Sequence, residues 1–201
     1  MRALAATALL AALALVAACS RGAGSKEDAT TDVPVQRELA PGFTLQDLAG
    51  TPVSLASFRG KTVLIDFWAT WCPPCEFQVP VLNAYYEAHK AEGLVVLGVA
   101  VDAQGRAAVA PYAARHKIRY PVLLGSEALA RDFGVPGFPA LAVVAPDGSL
   151  ATLHVGMAEE PELDKIMAGV RAGTAAQAAA RPSAADATSI PPAPAAAAPG
   201  S

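Results

Sequence analysis

The chain has 201 residues, a formal net charge of −3 and a 53% share of hydrophobic residues. That charge makes no broad basic field, so nucleic acid is excluded as an expected partner. The hydrophobic share is inflated by two Ala-rich ends and does not by itself indicate a membrane protein.

Arg2 is followed by an uncharged apolar run from Ala3 to Ala18, which Cys19 closes. The run is shorter than the ~20 residues a spanning helix needs. A basic start, an apolar stretch and small residues before a break predict a signal peptide over 1–18. Val16-Ala17-Ala18-Cys19 resembles the lipobox of bacterial lipoproteins. The resemblance implies that Cys19 becomes the lipidated first residue and anchors the protein to a membrane; the plain alternative is an ordinary signal-peptidase site. Residues 19–40 are polar, mixed in charge and without periodicity, and are expected to be a flexible tether averaging ~25 Å in reach.

The folded domain is expected over 41–172. Phe43 to Leu48 alternates like a strand, and Val53-Ser54-Leu55 follows a Gly50-Thr51-Pro52 turn, so the domain opens with a hairpin. The run Thr62 to Ala69 is apolar apart from its two threonine-and-acid interruptions, which suits a central strand covered on both faces. Pro73 to Ala91 carries Phe77, Val81, Leu82, Tyr85 and Tyr86 at helical spacings. Pro73 and Pro74 fit its first turn, where a missing N–H costs nothing. A second buried strand is predicted at Leu94 to Val101, a helix at Arg106 to Lys117, a short strand at Tyr120 to Leu124 and a short helix at Glu127 to Phe133. Leu141 to Ala145 and Ser149 to Val155 flank the turn Pro146-Asp147-Gly148 as a hairpin, and Pro161 to Val170 closes with a helix. The fold class is α/β: a mixed central sheet flanked by helices, with an added N-terminal β-hairpin and a right-handed crossover between the central strands. Residues 173–201, rich in Ala and broken by Pro182, Pro191, Pro192, Pro194 and Pro199, offer nothing large to bury and are expected to be disordered.

Three cysteines are present, and they divide cleanly. Cys19 lies at the leader boundary; Cys72 and Cys75 form a C-x-x-C with nothing else to pair with as a framework. So tight a disulfide loop restricts the unfolded chain least, which argues against a staple. Cys72 sits where strand gives way to helix, facing free backbone N–H groups and the positive end of the helix dipole, an environment that favours its thiolate. Cys75, one turn on, is placed to resolve a mixed disulfide. Two blander readings are half a zinc site, which lacks further ligands in sequence, and a structural bridge. His89, His116 and His154 lie on separate elements without ligand spacing and are read as surface or edge residues, and no metal is expected.

The segment Leu64-Ile65-Asp66-Phe67-Trp68-Ala69-Thr70-Trp71-Cys72-Pro73-Pro74-Cys75 resembles the active-site segment of the thioredoxin superfamily. Phe58-Arg59-Gly60-Lys61, the preceding hairpin and Val99-Ala100-Val101-Asp102 make the resemblance closest to its TlpA/ResA-like branch, over roughly Pro41 to Val170. The resemblance implies a thioredoxin fold and makes Asp66 the buried acid that moves a proton to and from Cys75; the alternative is a carboxylate satisfied by Lys61 or another partner. It implies that Pro139, in Gly137-Phe138-Pro139, is cis and faces the cysteine pair, with Trp71, Pro73, Phe138 and Pro139 lining the substrate surface; the alternative is an ordinary trans-proline turn. One departure stands out. The branch often carries a Glu three positions after the second cysteine, and here that position is Gln78, with Glu76 directly after Cys75.

The expected activity is dithiol–disulfide exchange without a bound cofactor. By resemblance, the protein is a reductase of disulfides in exported proteins such as apocytochrome c. It would work as a monomer, kept reduced by a membrane electron donor of the DsbD/CcdA type, lipid-anchored and facing the periplasm. Two rivals remain. One is a copper(I) metallochaperone using the same thiols with His154 nearby; the other is a peroxiredoxin-like peroxidase, against which stand the C-x-x-C and the absence of Pro before Thr70.

Overall fold

The computed structural model describes residues 38–180. The leader over 1–18, Cys19 and the tether up to residue 37 lie outside the described residues, as does the tail from residue 181.

Seven strands and four α-helices make up the domain: β1 (Thr44–Asp47), β2 (Pro52–Ser54), β3 (Val63–Trp68), α1 (Pro73–His89), β4 (Val95–Ala100), α2 (Arg106–Arg115), β5 (Val122–Leu124), α3 (Glu127–Asp132), β6 (Ala140–Val144), β7 (Leu150–Val155) and α4 (Glu160–Ala180). The strands join one mixed sheet in the order β2-β1-β5-β4-β3-β6-β7. β3 and β4 run parallel in a constant register, Asp66 opposite Gly98 and Trp68 opposite Ala100, while β6 lies antiparallel on the other side of β3. β3 is thus paired on both edges and covered on both faces, and all six of its residues are buried. This is why it reads as a nearly unbroken apolar run.

Strand alternation sends successive side chains to opposite faces. Val63, Ile65 and Phe67 join one core cluster with Leu97, Val99, Ala140, Ala142, Ala130 and Phe133. Leu64 joins a second with Leu82 and Tyr85 of α1, Tyr120, Leu141, Val143, and Leu163, Met167 and Val170 of α4. Asp66 shares the side of Leu64, so a carboxyl points into the layer that α1 and α4 cover.

Several boundaries differ from those the sequence predicts. The domain begins inside the segment assigned to the tether: the Leu150 N–H donates to the Glu38 carbonyl, Leu39 bridges to Ser149, and the Ala40 N–H donates to the Gly148 carbonyl. The backbone there is held by the β6–β7 turn rather than by side-chain burial, so hydropathy carries no sign of it. At the other end, α4 does not stop near Val170 but continues to Ala180, into the segment expected to be disordered. Ala is the strongest helix former and needs no packing to extend a helix already nucleated. Conversely α2 stops at Arg115, two residues early, because Lys117 adopts a positive φ of 53°.

Candidate active site

β3 ends at Trp68 and α1 begins at Pro73, so Cys72 is the N-cap residue of α1, in extended conformation. The two prolines occupy N1 and N2, as their fixed φ and absent N–H favour. The Cys75 N–H donates to the Cys72 carbonyl at 3.1 Å, and the Cys72 N–H donates to the Ala69 carbonyl at 3.2 Å. Cys72 and Cys75 are joined by a disulfide with their Cα atoms 5.4 Å apart. They are 5% and 2% exposed, so the pair is nearly flush with the surface and Cys75 is the deeper.

The turn before the cysteines is held by a residue to which the sequence reading assigned no role. Asp102 is buried and accepts from the Thr70 N–H at 3.1 Å and from the Thr70 hydroxyl. The register contains the signal: every β3 residue lies opposite the β4 residue 32 positions on, which extends to Thr70 and Asp102. Backbone pairing continues too, the Val101 N–H donating to the Trp68 carbonyl at 3.0 Å.

The Phe138–Pro139 peptide is cis, as the resemblance implies. Its loop reaches the cysteines through aromatic contact: Phe138 meets Trp71, the residue before Cys72, edge-on with ring centroids 5.8 Å apart. The Gly156 N–H donates to the Pro139 carbonyl at 2.9 Å, which brings the β7–α4 connection alongside. Trp71 is 55% exposed, and Phe77, Val155 and Met157 are exposed as well. Pro73 and Pro74 are exposed too. The cysteine pair is therefore flanked directly by exposed apolar residues, Trp71 before Cys72 and Pro73 and Pro74 after it. Trp68, by contrast, is core.

Gln78, one turn beyond Cys75, is fully buried and binds both backbone polar groups of one residue. Its amide nitrogen donates to the Ala158 carbonyl at 2.9 Å and its oxygen accepts from the Ala158 N–H at 2.7 Å. A neutral amide suits this position because it has both a donor and an acceptor to offer. His154 stands apart from the sulfurs' own element, on β7, its Nε2 3.2 Å from the Met157 carbonyl oxygen. Among the described residues no group of three or more His, Cys, Asp or Glu side chains gathers as a metal-ligand set.

Asp66 is 2% exposed. Burial pushes its carboxyl from an ordinary 3.8 up to about 7, with a hydrogen bond from Tyr120 opposing the rise. The Tyr120 hydroxyl donates to Oδ2 at 3.1 Å, while Oδ1 has no partner among the described residues. Lys61 is not that partner; Tyr120 is. Burial and the Asp66 charge together hold the Tyr120 phenol well above its usual range, so it remains the donor. Such a carboxyl can hold a proton near neutral pH and release it under a small bias.

A disulfide-forming cysteine pair at the head of a helix, beside a cis-proline loop on this sheet, defines a thiol–disulfide oxidoreductase of the thioredoxin fold. The chain belongs to the AhpC/TSA family, whose profile matches residues 37–152. It is 29% identical to the thiol-disulfide oxidoreductase ResA of Bacillus thuringiensis subsp. konkukian, over 130 residues that make up 64% of this chain and 74% of that protein. It is also 29% identical to the thioredoxin-like protein YneN of Bacillus subtilis, over 128 residues covering 63% and 75%. A crystal structure of a thiol:disulfide interchange protein from Chlorobium tepidum TLS superposes with a TM-score of 0.60 at 29% identity, covering 67% of this chain and 97% of that one. The chain is thus a TlpA/ResA-like thiol–disulfide oxidoreductase.

Proposed function

We propose that the protein reduces disulfides in exported proteins, apocytochrome c among them, with Cys72 as the attacking thiol and Cys75 as the resolving one. The observation that carries this is the position of the pair: Cys72 caps α1 and is joined to a deeper Cys75, with exposed Trp71, Pro73 and Pro74 beside them. At a helix N-terminus the developing thiolate is favoured. Trp71, Pro73, Phe138 and Pro139 form the surface on which an unfolded substrate segment lies, and Asp66 serves as the proton store for Cys75. A donor of the DsbD/CcdA type returns the electrons, and Cys19 carries the lipid that keeps the domain at the periplasmic side of the membrane. Among the described residues no helix is long and apolar enough to cross a membrane.

The test is trapping. Cys75→Ser accumulates a mixed disulfide with a substrate protein, and Cys72→Ser neither traps nor reduces. Adducts on Cys72→Ser alone overturn the assignment. A strongly reducing potential for the couple supports the reductase direction, whereas an oxidising one favours disulfide formation. The family match supplies a reason to include a peroxide arm: turnover of hydrogen peroxide faster than of insulin disulfides favours a peroxidase. Tight copper(I) binding by the reduced protein without disulfide reduction favours a metallochaperone.

A further inference from the structure

Three buried polar atoms lack a hydrogen-bond partner among the described residues: Asp66 Oδ1, Trp68 Nε1 and Tyr112 Oη. They belong to one neighbourhood. Asp66 lies opposite Gly98 in the sheet, and a Cβ placed on Gly98 would come within 3.0 Å of Trp68 Nε1 and 2.8 Å of the Tyr120 ring. The bare glycine therefore lets the indole and the phenol bonded to Asp66 meet over the strand. The Trp68 ring packs on Tyr112 of α2 with centroids 5.1 Å apart. Tyr112 in turn stacks on His116 at 4.1 Å, and His116 Nδ1 lies 3.7 Å from a carboxylate oxygen of Glu76, the residue after Cys75. Polar aromatic side chains thus lead from the buried acid toward a His116–Glu76 contact at the surface, Glu76 being the residue after Cys75.

An unsatisfied buried polar group costs about 1–3 kcal/mol. Three in one patch are in keeping with ordered water, which commonly makes about three hydrogen bonds to such groups. We propose that Asp66 Oδ1, Trp68 Nε1 and Tyr112 Oη share ordered internal water, and that this water is the route by which Asp66 exchanges its proton with solvent at the His116–Glu76 pair. The groups facing the route are Tyr120 from the approach to β5, Tyr112 and Arg115 from α2, His116 just after it, Glu76 from α1 and Asp102 beyond β4. Burial, then the Glu76 charge, holds the Tyr112 phenol above its ordinary range, so it stays protonated and passes protons on rather than losing its own.

The inference rests on the reading of Asp66 as proton store. On that reading the Cys75 thiol gives its proton to the Asp66 carboxylate, and the Cys75 thiolate attacks the Cys72 sulfur of the mixed disulfide. The substrate sulfur leaves as a thiolate that takes a proton from solvent. Asp66 then returns the proton it accepted through the internal water, which restores the starting charge. Tyr112 and Trp68 act through that water and are positioning residues.

Difference infrared spectroscopy of the full chain isolates the protonated Asp66 carbonyl band as the one lost in Asp66→Asn. Tyr112→Phe keeps the ring stack and removes one hydroxyl. The band is expected to rise in frequency as the Oδ1 hydrogen bond weakens, and its exchange in heavy water to slow about tenfold or more. Tyr120→Phe, which acts on Oδ2, shifts the band without slowing exchange. Parent frequency and parent exchange rate in Tyr112→Phe overturn the proposal. So does a crystal structure of the parent in which no water reaches Asp66 Oδ1, a measurement that needs no variant. The proton-store reading is tested apart, by the resolving rate of Asp66→Asn. If that rate equals the parent's while Tyr112→Phe still slows exchange, the store fails and the water route stands.

Discussion

Asp66 and Asp102 are both buried acids, one within β3 and the other just past the neighbouring β4, 2% and 4% exposed, and the fold treats them oppositely. Asp102 lies just past the end of β4, where the chain turns. Both of its oxygens lie within hydrogen-bond reach of the Thr70 N–H, and one also accepts the Thr70 hydroxyl. Asp66 sits mid-strand with one phenol on one oxygen and no described partner on the other. At Asp66, burial with a single hydrogen bond favours the neutral acid. One acid therefore fixes geometry, holding the turn that presents Cys72. The other is left able to change its protonation state, which costs stability.

The largest expected effect breaks the comparison at Asp66. Its folded-state carboxyl titrates at about 7 rather than 3.8. Between those values the folded chain keeps a proton that the unfolded chain releases, so stability falls as pH rises. Below 3.8 the penalty is absent, and above about 7 it is fully present, on the order of 4 kcal/mol. Asp66→Asn removes that slope, and urea unfolding is expected to find it more stable than the parent at pH 8 and nearly equal at pH 4. Parallel stability–pH curves for the two proteins would show that the acid is comfortably solvated.

Asp102→Ala goes the other way. It strips the Thr70 N–H and hydroxyl of their acceptor, and a loss of about 2–3 kcal/mol is expected, with slower attack by Cys72 because its turn loosens. If denaturation midpoint and attack rate are both unchanged, Asp102 is no clamp. A smaller effect is expected at Gln78, a buried polar group that carries no charge. Gln78→Glu sets a carboxylate oxygen against the Ala158 carbonyl in place of an N–H, at a cost of about 1–3 kcal/mol. That loss should fade in acid, where the protonated acid can donate again. A loss independent of pH would point to packing instead.

What the sequence discloses and what it hides follow from the range of the interactions. The run from Leu64 to Cys75 is legible because strand burial, the proline-led helix start and the cysteine spacing are all local. Gly137-Phe138-Pro139 is legible only through resemblance, since nothing in its own composition selects a cis bond. The roles of Asp102, Gln78 and Tyr120 depend on partners 32, 80 and 54 residues away. Of these, only Asp102 follows from strand register. The late end of α4 went unseen for another reason: hydrophobic periodicity ceases after Val170, yet alanine sustains a helix without burying anything.

The chain contains two tryptophans, and the fold gives them unlike surroundings. Trp68 is 2% exposed against Tyr112, whereas Trp71 is 55% exposed and adjacent to Cys72. An excited indole next to a disulfide loses its energy to the sulfurs, and opening the bond removes that quencher. The long-wavelength emission of the wetter indole therefore reports the oxidation state of the cysteines, while the short-wavelength emission of the buried one reports whether the sheet is intact. A single unlabelled sample in a fluorimeter thus carries two indoles in unlike surroundings, one exposed beside the cysteines and one buried in the core.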